Sequence, residues 1–147
     1  MTGEFLFDAN VLIAAAWPTH QAHPRVQHWL ARHAQEGWAT CPLTESAFVR
    51  ILSNPAFSPS ALTPADALAL LRANLGHPSH RFWEDVLPVE QAVAPFAGRL
   101  RGHQQISDAY LLGLVLHRKG TLVTLDRAVL SLLPEKSPER EKVVVIS

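Results

Sequence analysis

The sequence has little cysteine, no surplus of charge and no long apolar run. Cys41 is the only cysteine among 147 residues, which excludes an intrachain disulfide and a zinc site built on several thiolates. A lone thiol suits a reducing compartment, and we expect a cytoplasmic protein. Lys plus Arg and Asp plus Glu both number 13, so the basic excess of many nucleic-acid-binding proteins is missing. A nucleic acid would therefore need a local basic patch.

The apolar runs are also too short for a membrane span. The longest cover residues 11–17 and 109–116, whereas about 20 apolar residues are needed to cross a bilayer. The acidic start at residues 1–4 does not resemble a signal peptide. We expect no membrane association. The length is that of one ordinary domain, so we predict a single domain over residues 1–147.

Short apolar segments alternate with helical patterns along the chain. The predicted strands cover residues 4–7, 38–41, 81–87, 121–124 and 143–146. The predicted helices cover residues 10–17, 24–35, 44–53, 64–75, 89–101, 106–118 and 127–133, with Thr44 and Thr63 as N-caps of the third and fourth. This alternation predicts an α/β fold, with a mostly parallel sheet of about five strands and helices on both faces.

Four acids stand where a strand gives way to a helix: Asp8, Glu45, Asp108 and Asp126. In a parallel sheet these junctions lie at one edge, so the four can meet. Glu45 and Asp108 each begin an apolar stripe with the i, i+3, i+4, i+7 spacing of a helix face that packs on the sheet. Any one of the four could simply cap a helix. All four together would repel one another unless a cation lay between them.

An all-carboxylate ligand set favours a hard divalent ion, Mg²⁺ or Mn²⁺, with water in the remaining positions. Such an ion would orient and activate a water and neutralise charge growing on a phosphodiester. The pattern therefore predicts metal-assisted chemistry on a phosphate ester.

The residues around the acids form an ordered series of four segments. They read LFDANVLI at 6–13, TE at 44–45 followed by FVRILSNP at 48–55, ISDAYL at 106–111, and TLDR at 124–127. In residues, order and spacing the series resembles the motifs of PIN-domain ribonucleases, and among them the VapC-type toxins. The resemblance covers nearly the whole chain.

This resemblance implies a PIN-like domain with a Mg²⁺- or Mn²⁺-dependent endoribonuclease activity, normally neutralised by a small antitoxin. It implies that the metal site comprises Asp8, Glu45, Asp108 and Asp126, and that polar supporting residues stand at Asn10, Thr44, Ser107 and Thr124. We expect Asp8 and Asp108 to be direct ligands and Asp126 to act through water.

Several other side chains have more than one interpretation. Arg50 could hold a phosphate, brace a carboxylate or cover apolar surface. A basic rim for RNA could comprise Arg99, Arg101, His103, Arg118 and Arg127, although for each a solvated surface position is the simpler interpretation. The helix at 106–118 is apolar almost all round, so it is either fully buried or at a subunit interface. We expect a homodimer.

Three alternatives stay open at this stage. One is a PIN-domain nuclease in RNA processing outside a toxin–antitoxin system. Another is a haloacid-dehalogenase-like phosphatase, which would need a nucleophilic Asp8 and a second acid at position 10, where Asn10 stands. The third is a binding module that keeps the fold and lacks catalysis.

Overall fold

The computed structural model describes residues 4–147, the side chain of Ala34 excepted. Five strands form its sheet: β1 Phe5–Phe7, β2 Trp38–Thr40, β3 His80–Phe82, β4 Thr121–Thr124 and β5 Val143–Val145. They lie in the order β3-β2-β1-β4-β5, and every neighbouring pair is parallel. The predicted α/β class is confirmed, and the sheet is wholly rather than mostly parallel.

Six α-helices connect these strands: α1 Ala9–Ala16, α2 His23–His33, α3 Pro42–Leu52, α4 Pro64–Leu75, α5 Val89–Val93 and α6 Ile106–Arg118. Short 3₁₀ helices add Ala34–Glu36, Ala94–Arg99, His103–Gln105, Arg127–Leu132 and Pro138–Lys142. None of the helices in residues 4–147 has the length and apolar character needed to cross a bilayer.

Successive residues of a strand pack into hydrophobic cores on opposite faces of the sheet, because side chains alternate between the two faces. Leu6 and Leu122 pack with α5 and α6 on one face of the sheet. Phe7 and Val123 pack with α1, α3 and α4 on the other face. The sheet is therefore covered on both faces, which is the arrangement expected of a parallel sheet.

The apolar helix α6 is buried within the chain itself. Residues 109–115 are all buried, so the first of its two interpretations holds. Gly113 lets α6 approach α5 closely, since a Cβ there would stand 2.2 Å from the carbonyl oxygen of Ala92. The position of α6 fixes where its first turn, with Asp108, meets the edge of the sheet.

Two helix starts test the predicted caps. Thr63 caps α4 as predicted, because its hydroxyl accepts from Asp66 N at 3.1 Å. The prediction that Thr44 caps α3 is wrong. Cys41 is the N-cap, Pro42 is the first helical residue, and Thr44 Oγ1 accepts from Cys41 N at 3.0 Å. Proline suits that first position because its missing N–H would have no helical partner.

Two predicted boundaries also differ from the structure. The helix predicted over 89–101 leaves α geometry after Val93, because Pro95 has no N–H to donate and its ring crowds the preceding turn. The strand predicted over 81–87 is only His80–Phe82. Its partner β2 ends at Thr40, which pairs with Phe82, so later residues have no neighbouring strand.

Candidate metal centre

Asp8 and Asp126 emerge side by side from the adjacent strands β1 and β4. Asp8 N donates to Val123 O at 2.9 Å, which extends the ladder by one residue. Thr124, the last residue of β4, is 1% exposed and links the two acids. Its hydroxyl donates to Asp8 Oδ2 at 2.9 Å and accepts from Asp126 N at 3.1 Å. The parallel register thus places both acids at the carboxyl end of the sheet.

Asp108 reaches the same place from the first turn of α6. Burial, together with the negative charges of Asp8 and Asp126, raises the pKa of its carboxyl to about 6. Burial also raises the pKa of Asp8, and the charge of Asp126 acts in the same direction, while the hydrogen bond from Thr124 opposes both. Each shift means that the charged form is disfavoured. The three carboxylates therefore lie within one another's electric field.

Basic side chains do not neutralise this cluster at close range. In the described part of the chain, the close ion pairs join His33 to Glu36 at 3.3 Å and Arg81 to Glu4 at 3.6 Å. The excess negative charge at Asp8, Asp108 and Asp126 is of the kind that a divalent cation would relieve.

Asp126 also has a local role. It is exposed, and its Oδ1 accepts from Ala128 N at 2.9 Å, which caps the 3₁₀ helix Arg127–Leu132. The capping interpretation is correct for this residue, and it is compatible with a contact to an ion through water.

Glu45 lies in the first turn of α3 and faces a different neighbour. Its Oε2 accepts from Thr40 Oγ1 at 2.6 Å, and that hydroxyl also contacts His80 Nε2 at 2.8 Å. Its charge is not among those that shift the pKa of Asp8 or Asp108. The structure therefore groups Asp8, Asp108 and Asp126, and it places Glu45 with Thr40 and His80.

Sequence reasoning missed Thr40 and His80. Thr40 is the last residue of β2, just as Thr124 is the last residue of β4, so a threonine closing a strand was the available signal. His80 carried no such signal, because its contact with Thr40 depends on how β3 pairs with β2.

The remaining predicted residues fall in three situations. Thr44 is buried and bonds to the backbone of Cys41. Asn10, Ser107 and Arg50 are exposed. Among the basic residues, Arg118 lies over the Trp83 ring at 5.1 Å, at the end of α6 remote from Asp108.

A groove that none of the four acids lines collects other basic side chains. It has a volume of about 1110 Å³ and is lined by Arg99, Arg101 and Lys136, with Glu139 as an acidic member. Its walls follow the 3₁₀ helix Ala94–Arg99 and the segment 131–139.

The donor set fits Mg²⁺ or Mn²⁺ in its chemistry, because carboxylate oxygens are the ligands these ions prefer. Within residues 4–147, no three His, Cys, Asp or Glu side chains already lie close enough together to hold an ion. The carboxylates of Asp8, Asp108 and Asp126 would have to converge further around it.

Comparison with known proteins gives a consistent result. A PIN domain family model matches residues 5–134. Ribonuclease VapC38 of Mycobacterium tuberculosis is 40% identical over 131 residues, which cover 89% of this chain and 91% of that protein. Ribonuclease VapC39 of the same species is 39% identical over 124 residues, which cover 84% and 89%.

Solved structures share the fold. VapBC2 from Rickettsia felis, bound to a DNA fragment from its promoter, superposes with a TM-score of 0.63 at 11% identity over 96% of both chains. PAE2754 from Pyrobaculum aerophilum gives a TM-score of 0.58 at 25% identity, covering 88% of this chain and 79% of that one.

Fold and site together define a parallel α/β protein with a cluster of acids at the carboxyl edge of its sheet. The chain belongs to the PIN domain family, and within it to the VapC-type proteins, which confirms the resemblance drawn from the four motifs. The phosphatase alternative is thereby removed.

Proposed function

We propose that this protein is a toxin endoribonuclease that hydrolyses RNA phosphodiester bonds with the help of Mg²⁺ or Mn²⁺. The observation that carries the proposal is the group of Asp8, Asp108 and Asp126, in which burial and the charges of neighbouring acids disfavour the charged forms of Asp8 and Asp108. The relatives are named ribonucleases, and the match extends over most of their length, which supports RNA as the substrate.

Each acid has a distinct role in this proposal. Asp8 and Asp108 hold the ion directly, and Asp126, which is exposed and accepts a hydrogen bond from Ala128 N, contacts it through water. Thr124 holds Asp8 Oδ2 in place. Glu45 completes the acidic edge from the side of α3. The bound ion would lower the pKa of a water and stabilise negative charge on the phosphate.

The basic groove offers RNA a path away from the acids. Gln105 Nε2 lies 3.5 Å from Ser131 Oγ, so the segment that leads into α6 contacts the 3₁₀ helix that follows Asp126. Ser131 also lines the groove, so one wall of the groove belongs to the 3₁₀ helix that follows Asp126 in the chain. Arg99, Arg101 and Lys136 would there offset the phosphate charge of a bound strand.

The partners are an antitoxin and a second copy of the chain. The Rickettsia felis structure is of a VapBC2 assembly, which supports a cognate antitoxin here. We further propose a homodimer, which must form through a surface other than the buried helix α6 and which equilibrium sedimentation would test. We also propose action in the cytoplasm, where the buried Cys41 would stay reduced. If the neighbouring reading frame encodes a small DNA-binding protein, the toxin assignment gains support over RNA processing.

The substitution Asp8→Asn tests the metal centre. We expect it to abolish metal-dependent RNA cleavage and to leave the circular dichroism spectrum unchanged, because an amide is a poor ligand for a hard cation. Asp66→Asn is the matched control, an exposed acid in the first turn of α4 that should cleave like wild type. Full cleavage by the Asp8 variant would overturn the proposal.

A further inference from the structure

We infer that His80 is a positioning residue for the nuclease reaction, because through Thr40 it fixes the carboxylate of Glu45, which lies in the first turn of α3 at the carboxyl edge of the sheet. This inference rests on the proposed function and adds to it two residues, Thr40 and His80. The contacts that carry it span three elements of the fold, namely β3, β2 and α3.

The direction of the hydrogen bonds follows from the chemistry of the three groups. A threonine hydroxyl has one proton to donate, and an ionised carboxylate can only accept. Thr40 Oγ1, 2.6 Å from Glu45 Oε2, therefore donates to Glu45. Its remaining capacity toward His80 Nε2, at 2.8 Å, is that of an acceptor, so His80 must carry a proton on Nε2. The order of donation is His80 to Thr40 to Glu45.

The three groups are held firmly in this order. Thr40 is 0% exposed, so water does not compete for its hydroxyl. His80 begins β3, pairs with Trp38 in the sheet, and has its ring 4.8 Å from the Trp38 ring. Glu45 N donates to Cys41 O at 3.0 Å, which ties the first turn of α3 to the residue that follows Thr40. The carboxylate of Glu45 thus has one buried donor whose own orientation depends on His80.

A similar hydrogen bond from a threonine to an acid occurs at β4, on the other side of β1 from β2, with one difference. Thr124 also closes a strand and also donates to an acid, Asp8. The second partner of Thr124 is the backbone N of Asp126, whereas the second partner of Thr40 is a side chain. Only on the Glu45 side, therefore, can the second partner of the threonine hydroxyl be removed by substitution. Supporting hydrogen bonds of this kind change metal affinity or activity by about 10–100-fold.

Two amide substitutions separate positioning from mere filling of space. The amide nitrogen of His80→Gln can reach the place of Nε2, and that of the shorter His80→Asn can reach only the place of Nδ1. Both place the same uncharged amide group in β3, so the main difference between them is reach. With purified full-length protein, Mn²⁺ and an RNA oligonucleotide, kcat and KM are measured together with the thermal unfolding midpoint.

We expect His80→Gln to stay within a few-fold of wild type. We expect His80→Asn and Thr40→Val to lose about 10–100-fold in kcat with little change in KM. Thr40→Ser, which keeps the hydroxyl, should cleave like wild type. The double variant Thr40→Val with His80→Asn should be no slower than Thr40→Val alone, since the same chain of hydrogen bonds is already broken.

Three results would overturn the inference: wild-type kcat in His80→Asn, equal losses in the Asn and Gln variants at equal folded fraction, or additive losses in the double variant. If His80→Asn does not fold, Thr40→Ser and Thr40→Val are compared instead. Equal kcat values for these two variants would also refute the inference, because only Thr40→Ser keeps the hydroxyl. The Asp8→Asn variant keeps the two ideas apart. Cleavage by Asp8→Asn refutes the proposed function, whereas its inactivity beside a wild-type His80→Asn refutes only the role of His80.

Discussion

The two halves of the acidic edge are built alike and experience opposite electrostatics. On the side of β1, β4 and α6, Asp8 and Asp108 are desolvated and repel each other and Asp126. On the side of β2, β3 and α3, Glu45 accepts a short hydrogen bond from a buried hydroxyl. One half is unfavourable until a cation arrives, and the other is satisfied by the protein itself. Repulsion among these acids lowers the stability of the metal-free protein and favours binding of a cation.

The largest expected effect separates the two halves by their metal affinity. We expect Asp108→Asn to weaken Mn²⁺ binding by more than about 100-fold, since a ligand rather than its support is removed. Glu45→Gln should weaken it less, because Glu45 is outside the repelling group. Isothermal titration calorimetry of both variants measures the difference. Equal losses would show that Glu45 holds the ion in the same way as Asp108.

Much of this arrangement could be predicted from the sequence. The alternation of strands and helices gave the sheet, and a parallel sheet brings strand-to-helix junctions to one edge whatever their separation in sequence. Helical spacing also placed Glu45 and Asp108 correctly on inward stripes, since Phe48, Leu111 and Leu112 are buried as expected.

The direction of the Glu45 carboxylate could not be predicted. Periodicity fixes the face from which a side chain leaves a helix and leaves its rotamer undetermined. The rotamer of Glu45 is set by Thr40 and His80, and His80 reaches Thr40 only because β3 pairs with β2 in a particular register. That register is a long-range property of the packed sheet.

A second prediction concerns Thr124, whose effect should be smaller because it supports a ligand. Thr124→Val keeps the shape of the side chain and removes the hydrogen bonds to Asp8 Oδ2 and from Asp126 N. We expect Mn²⁺ affinity to fall by about 10-fold or more, because the bond that lowers the pKa of Asp8 is lost. Calorimetry at constant pH measures it, with Thr121→Val on the same strand as the control. An unchanged affinity would mean that burial alone positions Asp8.

The smallest expected effect is on the stability of the metal-free protein. The folded pKa of Asp108 is about 6, above its ordinary value of 3.8, so between these values the folded state binds more protons than the unfolded one. Stability from this group therefore falls as the pH rises from about 4 through 6. The shift of Asp8 acts in the same direction. His20 and His80, whose pKa values burial lowers, act in the opposite direction, so the wild-type curve alone is ambiguous.

The difference in stability between variants isolates the contribution of Asp108 from that of the histidines. At pH 7.5 we expect metal-free Asp108→Asn to unfold on the order of a few degrees above wild type, because a repelled charge is gone. This advantage should vanish near pH 4.5, where Asp108 in the wild type is protonated, and it should reverse when Mn²⁺ is added, since only the wild type gains binding energy. Glu45→Gln should show no such gain at pH 7.5. Scanning calorimetry at the two pH values decides, and a gain in Glu45→Gln equal to that in Asp108→Asn would mean that repulsion is spread evenly along the whole acidic edge.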